Sequence, residues 1–360
     1  MGPKAATPKA VKIGRRLVGP GQPIYIVAEI SANHDRDLKK ALMLVRAAKD
    51  AGADAVKLQT YTPDTLTIDC DKPPFLIKGT IWNKRRLYDL YGEAYTPWDW
   101  HPKLKAEADR LGIDIFSTPF DDTAVDFLEG LGMPAHKVAS FELVDIPLLR
   151  KVGATCKPVI MSTGMATLAE IRESAGVLKA SGCPGLILLK CTSAYPASPD
   201  EMNLRSIVDL SARLKVPVGL SDHTLGTAVP VAAVPLGICM IEKHFTLDRS
   251  IPGPDSSFSL EPGEFRAMVD SVRTAERALG GVHYGPTPSE AASLVFRRSL
   301  FVVKDLKKGE VLTAAHVRSI RPGYGLHPRH LDEVIGRKAA VSISRGTPLL
   351  WPLLARVRKS

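Results

Sequence analysis

Short apolar, β-rich runs alternate along this chain with stretches whose apolar residues recur at helical spacing. Eight runs read as strands: IYIVAEI (24–30), AVKLQT (55–60), DIFSTPF (114–120), HKVASF (136–141), PVIMSTG (158–164), LILLKCTS (186–193), PVGLSDH (217–223) and MIEKHFTL (240–247). Their starts lie 31, 59, 22, 22, 28, 31 and 23 residues apart, a spacing that suits repeated strand–helix units. Between them, the apolar pattern of Leu38–Ala51 predicts a helix that stops at Gly52. Asp121–Leu131 predicts another, closed by Gly132. Thr167–Ala180 opens with Thr167 and Glu170 at capping-box spacing. Eight strands alternating with helices over about 250 residues predict an α/β fold, a (β/α)8 TIM barrel. An open doubly wound sheet would ask for a glycine-rich phosphate turn after its first strand. Here that turn is AEISANHD, without G-x-G-x-x-G.

The 59-residue gap holds an insertion, roughly 61–97, whose Pro, Asp and Tyr content suits a long loop over the barrel mouth. The Ala/Pro/Lys-rich start predicts a flexible tail over 1–20, with the barrel at 21–282. After a last helix near 261–280, the Gly/Pro-rich run GGVHYGPTPSE marks a linker at 283–294. From 295 to 360 the pattern changes to short strands, SLFVVKD, VLTAAHVRSIRPG and AAVSISRGTPLLWP, a small and mostly β module whose thin core predicts docking on something else.

Composition narrows the function. The 360 residues are 45% hydrophobic and 24% charged, the balance of a globular protein. No apolar run reaches the roughly 18 residues of a membrane span, and no apolar stretch follows the basic N-terminus as a secretory signal would require. Five cysteines, with no C-x-x-C pair, suit free thiols in a reducing, cytoplasmic setting. The net charge of +10 is concentrated: residues 284–360 carry 14 Lys/Arg against 5 Asp/Glu, leaving +1 for the rest. Those charges are scattered, without interleaved aromatics or a zinc-finger pattern. They point away from nucleic acid and towards a small anionic ligand.

What ends each strand carries the chemistry. The first strand ends at Glu29 and the second with Lys57 and Gln59, which share a face. Ser117 and Thr118 end the third. The fourth runs from Lys137 to Ser140 and Glu142, and the fifth ends Ser162-Thr163-Gly164. The sixth ends Cys191-Thr192-Ser193 with Tyr195 beyond, the seventh Ser221-Asp222-His223, and the eighth carries Glu242, Lys243 and His244. In a barrel these ends form one rim, where active sites lie. A single Ser or Thr there is ordinarily a cap or turn residue. Lys57 and Lys137, inside apolar strands, need an anionic partner, and adjoining hydroxyls suit phosphate oxygens. His223 and His244, closing adjacent strands, are candidates for a divalent metal, with Asp255 as a possible carboxylate; Glu29 and Glu142 are candidate acid/base groups. The set specifies chemistry on a phosphorylated small molecule plus an aldehyde or ketone. It leaves open an aldolase, including one using a Schiff-base lysine, a phosphatase, a condensing enzyme, or a degenerate barrel that only binds glycan or ice.

The stretches AEISANHDRDLKKA, GADAVKLQTY, FSTPFD, STGMATLAEI, KCTSAYPA, GLSDHTLG and IEKHFTLDRSIPGPD resemble the sialic acid synthase family. FRRSLFVVKDLKKGEVLTAAHVRSIRPGYGL resembles that family's C-terminal antifreeze-like (SAF) domain, and the likeness runs over about 20–355. The resemblance implies metal-dependent condensation of phosphoenolpyruvate with an open-chain acetamido sugar. Of the neuraminate, legionaminate and pseudaminate classes, KLQTYTPDTLTIDC, LYDLYGEAYTPWDWH and KVASFELVDIPLL look most like the pseudaminate class. It further implies a divalent cation (Mn, Mg or Co) on His223 and His244. Lys57, Thr118, Lys137, Ser140, Ser162 and Ser221, with Tyr195 nearby, match phosphoenolpyruvate contacts. Glu29, Gln59, Asp255 and Phe296 match positions near the sugar, and Glu142 matches a carboxylate for the water step. Arg321 matches an arginine delivered to a partner's site in a domain-swapped homodimer. Ser193, where some neuraminate synthases carry Asn, and Pro252 depart from the family pattern.

Overall fold

The computed structural model describes residues 8–356, which divide into two compact units between Gly280 and Gly281. In the first unit, strands β3 (Tyr25–Glu29), β4 (Ala55–Thr60), β5 (Asp114–Pro119), β6 (His136–Val138), β7 (Val159–Ser162), β8 (Leu186–Cys191), β9 (Val218–Asp222) and β10 (Met240–His244) form a closed barrel. All neighbours are parallel, and β10 closes on β3. The eight predicted strands are these eight. They read as near-continuous apolar runs because both faces are covered.

Side-chain alternation gives each face its own chemistry. Ile26 and Ala28 of β3, Val56 and Leu58 of β4 and Ile241 of β10 join a cluster with helix residues such as Leu44, Leu104, Leu128, Leu149 and Phe265. Tyr25, Val27, Ala55, Phe116, Ile160, Ile187, Leu189 and Met240 form a second cluster, from the opposite face of the strands. The inward register continues from this apolar floor to Glu29, Lys57, Thr118, Lys137, Ser162, Cys191, Ser221, Glu242 and His244 at the carboxyl ends. The interior is thus oily below and charged above.

The helices form where the caps predict. Leu38–Asp50 is capped by Asp37, Asp122–Gly130 by Asp121, and Leu168–Ala180 by a Thr167–Glu170 capping box. The longest helix, Pro262–Leu279, starts with proline in its first turn. Among the described residues no helix is long and apolar enough to cross a membrane.

Two expectations need correction. The predicted tail over 1–20 is instead, at 11–18, a hairpin of β1 (Val11–Ile13) and β2 (Arg16–Val18); residues 1–7 lie outside the described residues. Val11, Ile13 and Val18 are buried in the floor cluster, so the hairpin plugs the amino-terminal end of the barrel. The alternation Val-Lys-Ile about Gly14 is the signal, masked by its basic neighbours. The insertion at 61–97 is no plain loop either: it contains helices Pro63–Leu66 and Leu87–Ala94. Arg86 ties it together, donating to Asp69 at 2.8 Å, Asp71 at 2.7 Å and Asp89 at 2.6 Å.

The second unit pairs β11 (Ser299–Val302) with antiparallel β12 (Val317–Ile320). Its own core includes Leu300, Leu312, Val317, Val334, Ile343 and Leu349. The run predicted as its last strand makes isolated bridges instead, Leu306 to Ile343 and Ala339 to Leu354.

The plug generates a stability prediction. Ile13 is fully buried, so Ile13→Ala should cost about 2–4 kcal/mol in urea unfolding of the first unit. A loss below about 0.5 kcal/mol would mean that the hairpin does not seal the floor.

Candidate active site

The carboxyl ends of the strands open into a cavity of about 340 Å³. Of the predicted residues, Lys57, Gln59, Lys137, Ser140, Glu142, Ser162, Tyr195, Ser221, His223, His244 and Asp255 all line it. Glu29 and Thr118 do not: both are fully buried behind Lys57. Phe296 and Arg321 lie in the second unit, with the guanidinium 6.0 Å from the ring centre.

Lys57 organises the base of the cavity. Its ammonium is ion-paired to Glu29, lies 3.6 Å from Glu242 and donates to Thr118 Oγ1 at 3.4 Å. Burial alone would lower its pKa, but Glu242 and Glu29 overcome that and raise it, so Lys57 is charged. Glu29 also accepts from the Ser31 backbone N–H at 2.7 Å. For Glu242, burial opposes the charge, while Lys137 and Lys57 hold its pKa down. Lys137 donates to Ser162 Oγ at 2.7 Å and to the Val138 carbonyl at 3.0 Å. Burial, reinforced by Lys57, pulls its pKa below the lysine range.

Hydroxyls surround this pair of ammonium groups. Ser221 donates to Glu242 at 3.2 Å, and Ser140 Oγ accepts from the Gly164 backbone N–H at 3.1 Å. A side chain at Gly164 would collide with Ser193 and Ser140, their hydroxyls lying 2.1 and 2.8 Å from its Cβ position. Glycine here lets the turn after β7 press against both serines. Two cations with neighbouring hydroxyls suit an anion that carries both a carboxylate and a phosphate.

The imidazoles occupy the other side. The His223 and His244 ring centres are 5.3 Å apart, and Tyr195 packs on His223 at 4.3 Å. His223 Nδ1 faces the Thr192 carbonyl at 2.9 Å. A carbonyl only accepts, so Nδ1 carries the proton and Nε2 is left with a lone pair. His244 Nδ1 is buried without a hydrogen-bond partner, 3.4 Å from an Asp255 carboxylate oxygen. These donors fit a divalent cation that borrows its remaining ligands from water and substrate. Among the described residues no group of three or more His, Cys, Asp or Glu side chains is preassembled as a metal cage. Lys243 faces away from the cavity and is paired with Asp222 and the Thr224 carbonyl.

Two features were poorly read in the sequence. Glu242 is legible in the sequence as a rim residue, but its approach to Lys57, 185 positions away, reaches across the intervening strand β3. Of the apolar lining from the insertion, Leu66, Ile77 and Trp82 have no regular spacing, whereas Leu87, Leu90 and Tyr91 recur at i, i+3 and i+4 on one face of the helix Leu87–Ala94.

Glu142 stands apart from the charged cluster. Burial pushes its carboxyl up to about 7, against the pull of its own backbone N–H and Lys137. One carboxylate oxygen has no hydrogen-bond partner. A carboxyl poised near neutrality can exchange a proton with a reacting group. Because the folded pKa exceeds the ordinary 4.5, the stability of the protonated form is complete below that value and is lost as pH rises through 7. The loss amounts to up to about 3 kcal/mol. Glu142→Gln should therefore gain in melting temperature over the parent between pH 5 and pH 8. A constant difference across that range would show a solvated carboxylate instead.

Comparison with known proteins gives the same picture. The NeuB family model matches residues 44–284, and the SAF domain model matches residues 297–355. A pseudaminic acid synthase of Campylobacter jejuni is 48% identical over 326 residues, covering 91% of this chain and 95% of the relative. A pseudaminic acid synthase of Helicobacter pylori is 44% identical, covering 91% and 97%. The crystal structure of an N-acetylneuraminic acid synthetase from Leptospira borgpetersenii superposes with a TM-score of 0.71 at 30% identity, covering 80% of this chain and 95% of the other. With matches that span the barrel and the module after it, this chain belongs to the NeuB family and carries a SAF domain after its barrel.

Proposed function

We propose that the chain is a pseudaminic acid synthase. It condenses phosphoenolpyruvate with 2,4-diacetamido-2,4,6-trideoxy-L-altropyranose in its open-chain form, giving pseudaminic acid and phosphate. The observation that carries this reading is the convergence of Lys57, Lys137, Ser140, Ser162 and Ser221 on a cavity that also presents both imidazoles. The relatives named above supply the substrate class. A cytoplasmic setting, where phosphoenolpyruvate is available, suits the free cysteines.

In this reading the two lysines and the serine hydroxyls hold the phosphate and carboxylate of phosphoenolpyruvate, with Thr118 supporting Lys57 from behind. Gln59 and Asp255 reach the sugar, and Tyr195 fixes the His223 ring. Glu29 acts through Lys57, since it does not reach the cavity surface. A divalent cation (Mn, Mg or Co) held by His223 and His244 would polarise the sugar aldehyde as a Lewis acid. C3 of phosphoenolpyruvate forms a bond to the aldehyde carbon, and the aldehyde oxygen becomes a hydroxyl after taking up a proton. C2 is left electron-poor, and water adds there. Glu142, with its pKa near neutrality, takes the proton this water loses. The resulting tetrahedral carbon expels phosphate and becomes the ketone of a nine-carbon 2-keto acid.

Phosphate release from purified protein tests the assignment. It should require phosphoenolpyruvate, a divalent cation and the altrose-configured diacetamido sugar together, and chelation should abolish it. Turnover of N-acetylmannosamine or of the mannose-configured diacetamido sugar in its place would move the chain to the neuraminate or legionaminate class. Glycan binding without turnover of any sugar would favour a non-catalytic barrel.

The SAF unit has a role in the same reading: Arg321 and Phe296 complete the sugar site of a partner copy in a domain-swapped homodimer. Glu142→Gln and Arg321→Ala should each be inactive alone. Co-expressed, they should recover activity in about a quarter of the sites, because one site of each mixed dimer is intact. No recovery in verified mixed dimers would place Arg321 in its own chain's site, or in none.

A further inference from the structure

Asp222 and Lys243 are a pair of buried charges that the proposed reaction leaves unused. They stand level on neighbouring strands, Lys243 on β10 and Asp222 on β9. Alternation turns them outward with Leu220 and Ile241, away from the face that carries Ser221, Glu242 and His244. Both side chains are fully buried. The Lys243 ammonium donates to one Asp222 carboxylate oxygen and to the Thr224 carbonyl. The other Asp222 oxygen accepts from the Thr224 backbone N–H at 3.0 Å and from the Thr224 hydroxyl at 2.8 Å. Asp222 and Thr224 are thereby tied into a closed turn whose middle residue is His223. The ammonium that ties them belongs to the residue just before His244.

Stability is a poor reason for this arrangement. Burying two charges is costly, and a well-packed apolar pair of similar volume often serves a fold as well or better. An apolar pair could not hold the turn. His223 sits where β9 ends, so no strand neighbour fixes its backbone beyond Asp222. Its ring is set from the other side, with Nδ1 donating to the Thr192 carbonyl at 2.9 Å, and its own carbonyl accepts from the Ala197 N–H at 3.0 Å. We infer that Lys243, through Asp222 and Thr224, is a positioning residue. It clamps the turn bearing His223 to the strand bearing His244 and sets the 5.3 Å separation of their ring centres. The inference rests on reading the two imidazoles as a metal pair. Among the described residues no third ligand is preassembled beside them, so a misplaced imidazole weakens the site directly.

Two paired substitutions separate the clamp from simple filling of space. Asp222→Leu with Lys243→Met fills the volume but removes both the turn and the bridge. Asp222→Asn with Lys243→Gln removes the charges but keeps groups that can hydrogen-bond to each other and to Thr224. Mn(II) binding, read from the free-ion EPR signal, should be about 10- to 100-fold weaker in the apolar pair and within about threefold of the parent in the amide pair. The melting temperature without metal should stay within about 4 °C of the parent in both. Parent-like Mn(II) affinity in the folded apolar pair, or failure of the folded amide pair to restore it, overturns the inference. Should the apolar pair not fold, Thr224→Val removes only the hydroxyl contact. A loss of about threefold or more then supports the clamp, and unchanged affinity overturns it. A parent that binds no Mn(II) sinks the metal reading instead. The clamp is then judged in the metal-free protein by NMR of isotope-labelled histidine. The His223 Nδ1–H resonance should be present in the parent and the amide pair and lost in the apolar pair; its retention in the apolar pair overturns the inference.

Discussion

The site depends on a buried ammonium that is never without a counter-charge. Parallel register sets Glu29 level with Lys57 on one neighbouring strand and with His244 on the other. Lys57 is 4% exposed and Glu29 fully buried, so neither can rely on water. Taking such charges out of water costs several kcal/mol each, and only close pairing offsets it. Glu29 on β3 and Glu242 on the adjoining β10 both approach Lys57 on β4, and closure of the ring makes that possible. In an open sheet the first and last strands would be edges, and Glu29 could not share a partner with Glu242.

The same closure explains why the two ends of the barrel are treated differently. The hairpin at 11–18 plugs the floor with Val11, Ile13 and Val18, which keeps water from reaching the charged layer from below. The insertion narrows the mouth from above, with Trp82 bridging to the loop that carries Asp255. Between them the polar layer sits at low dielectric, where a charge on a substrate is felt more strongly than in water. Glu142, raised towards neutrality by burial, is a product of that environment and not of any single neighbour.

Much of this was legible before any coordinates, and the reason is the strand period. Inward-facing residues recur every second position, so Lys57 and Gln59, or Glu242 and His244, declare a shared face locally. Parallel βα repetition then places every strand end on one rim. Pairings across the ring were not legible, because they depend on which strands are neighbours and at what register. Glu29 read as a rim acid, yet it lies beneath Lys57 as its counter-ion. The plug and the apolar lining from the insertion were hidden for another reason. Both patterns are short: Val11-Lys12-Ile13 alternates over three residues and Leu87, Leu90 and Tyr91 span little more than one helical turn, too little to stand out from their polar surroundings.

Charge balance explains why a barrel so well supplied with cations still needs help. Lys57 and Lys137 are the lysines at the base of the cavity, and Glu29 and Glu242 already offset them. Phosphoenolpyruvate brings a carboxylate and a phosphate, and in a desolvated site that excess must be met by further positive charge. Removing the glutamates would not serve, because Lys57 would then be buried unpaired whenever the site was empty. Two glutamates matched to two lysines keep the base of the cavity balanced before the substrates bring their own charge. A divalent cation on His223 and His244 would supply the further positive charge under the proposed mechanism. The empty barrel would then avoid the repulsion of several buried cations facing one another.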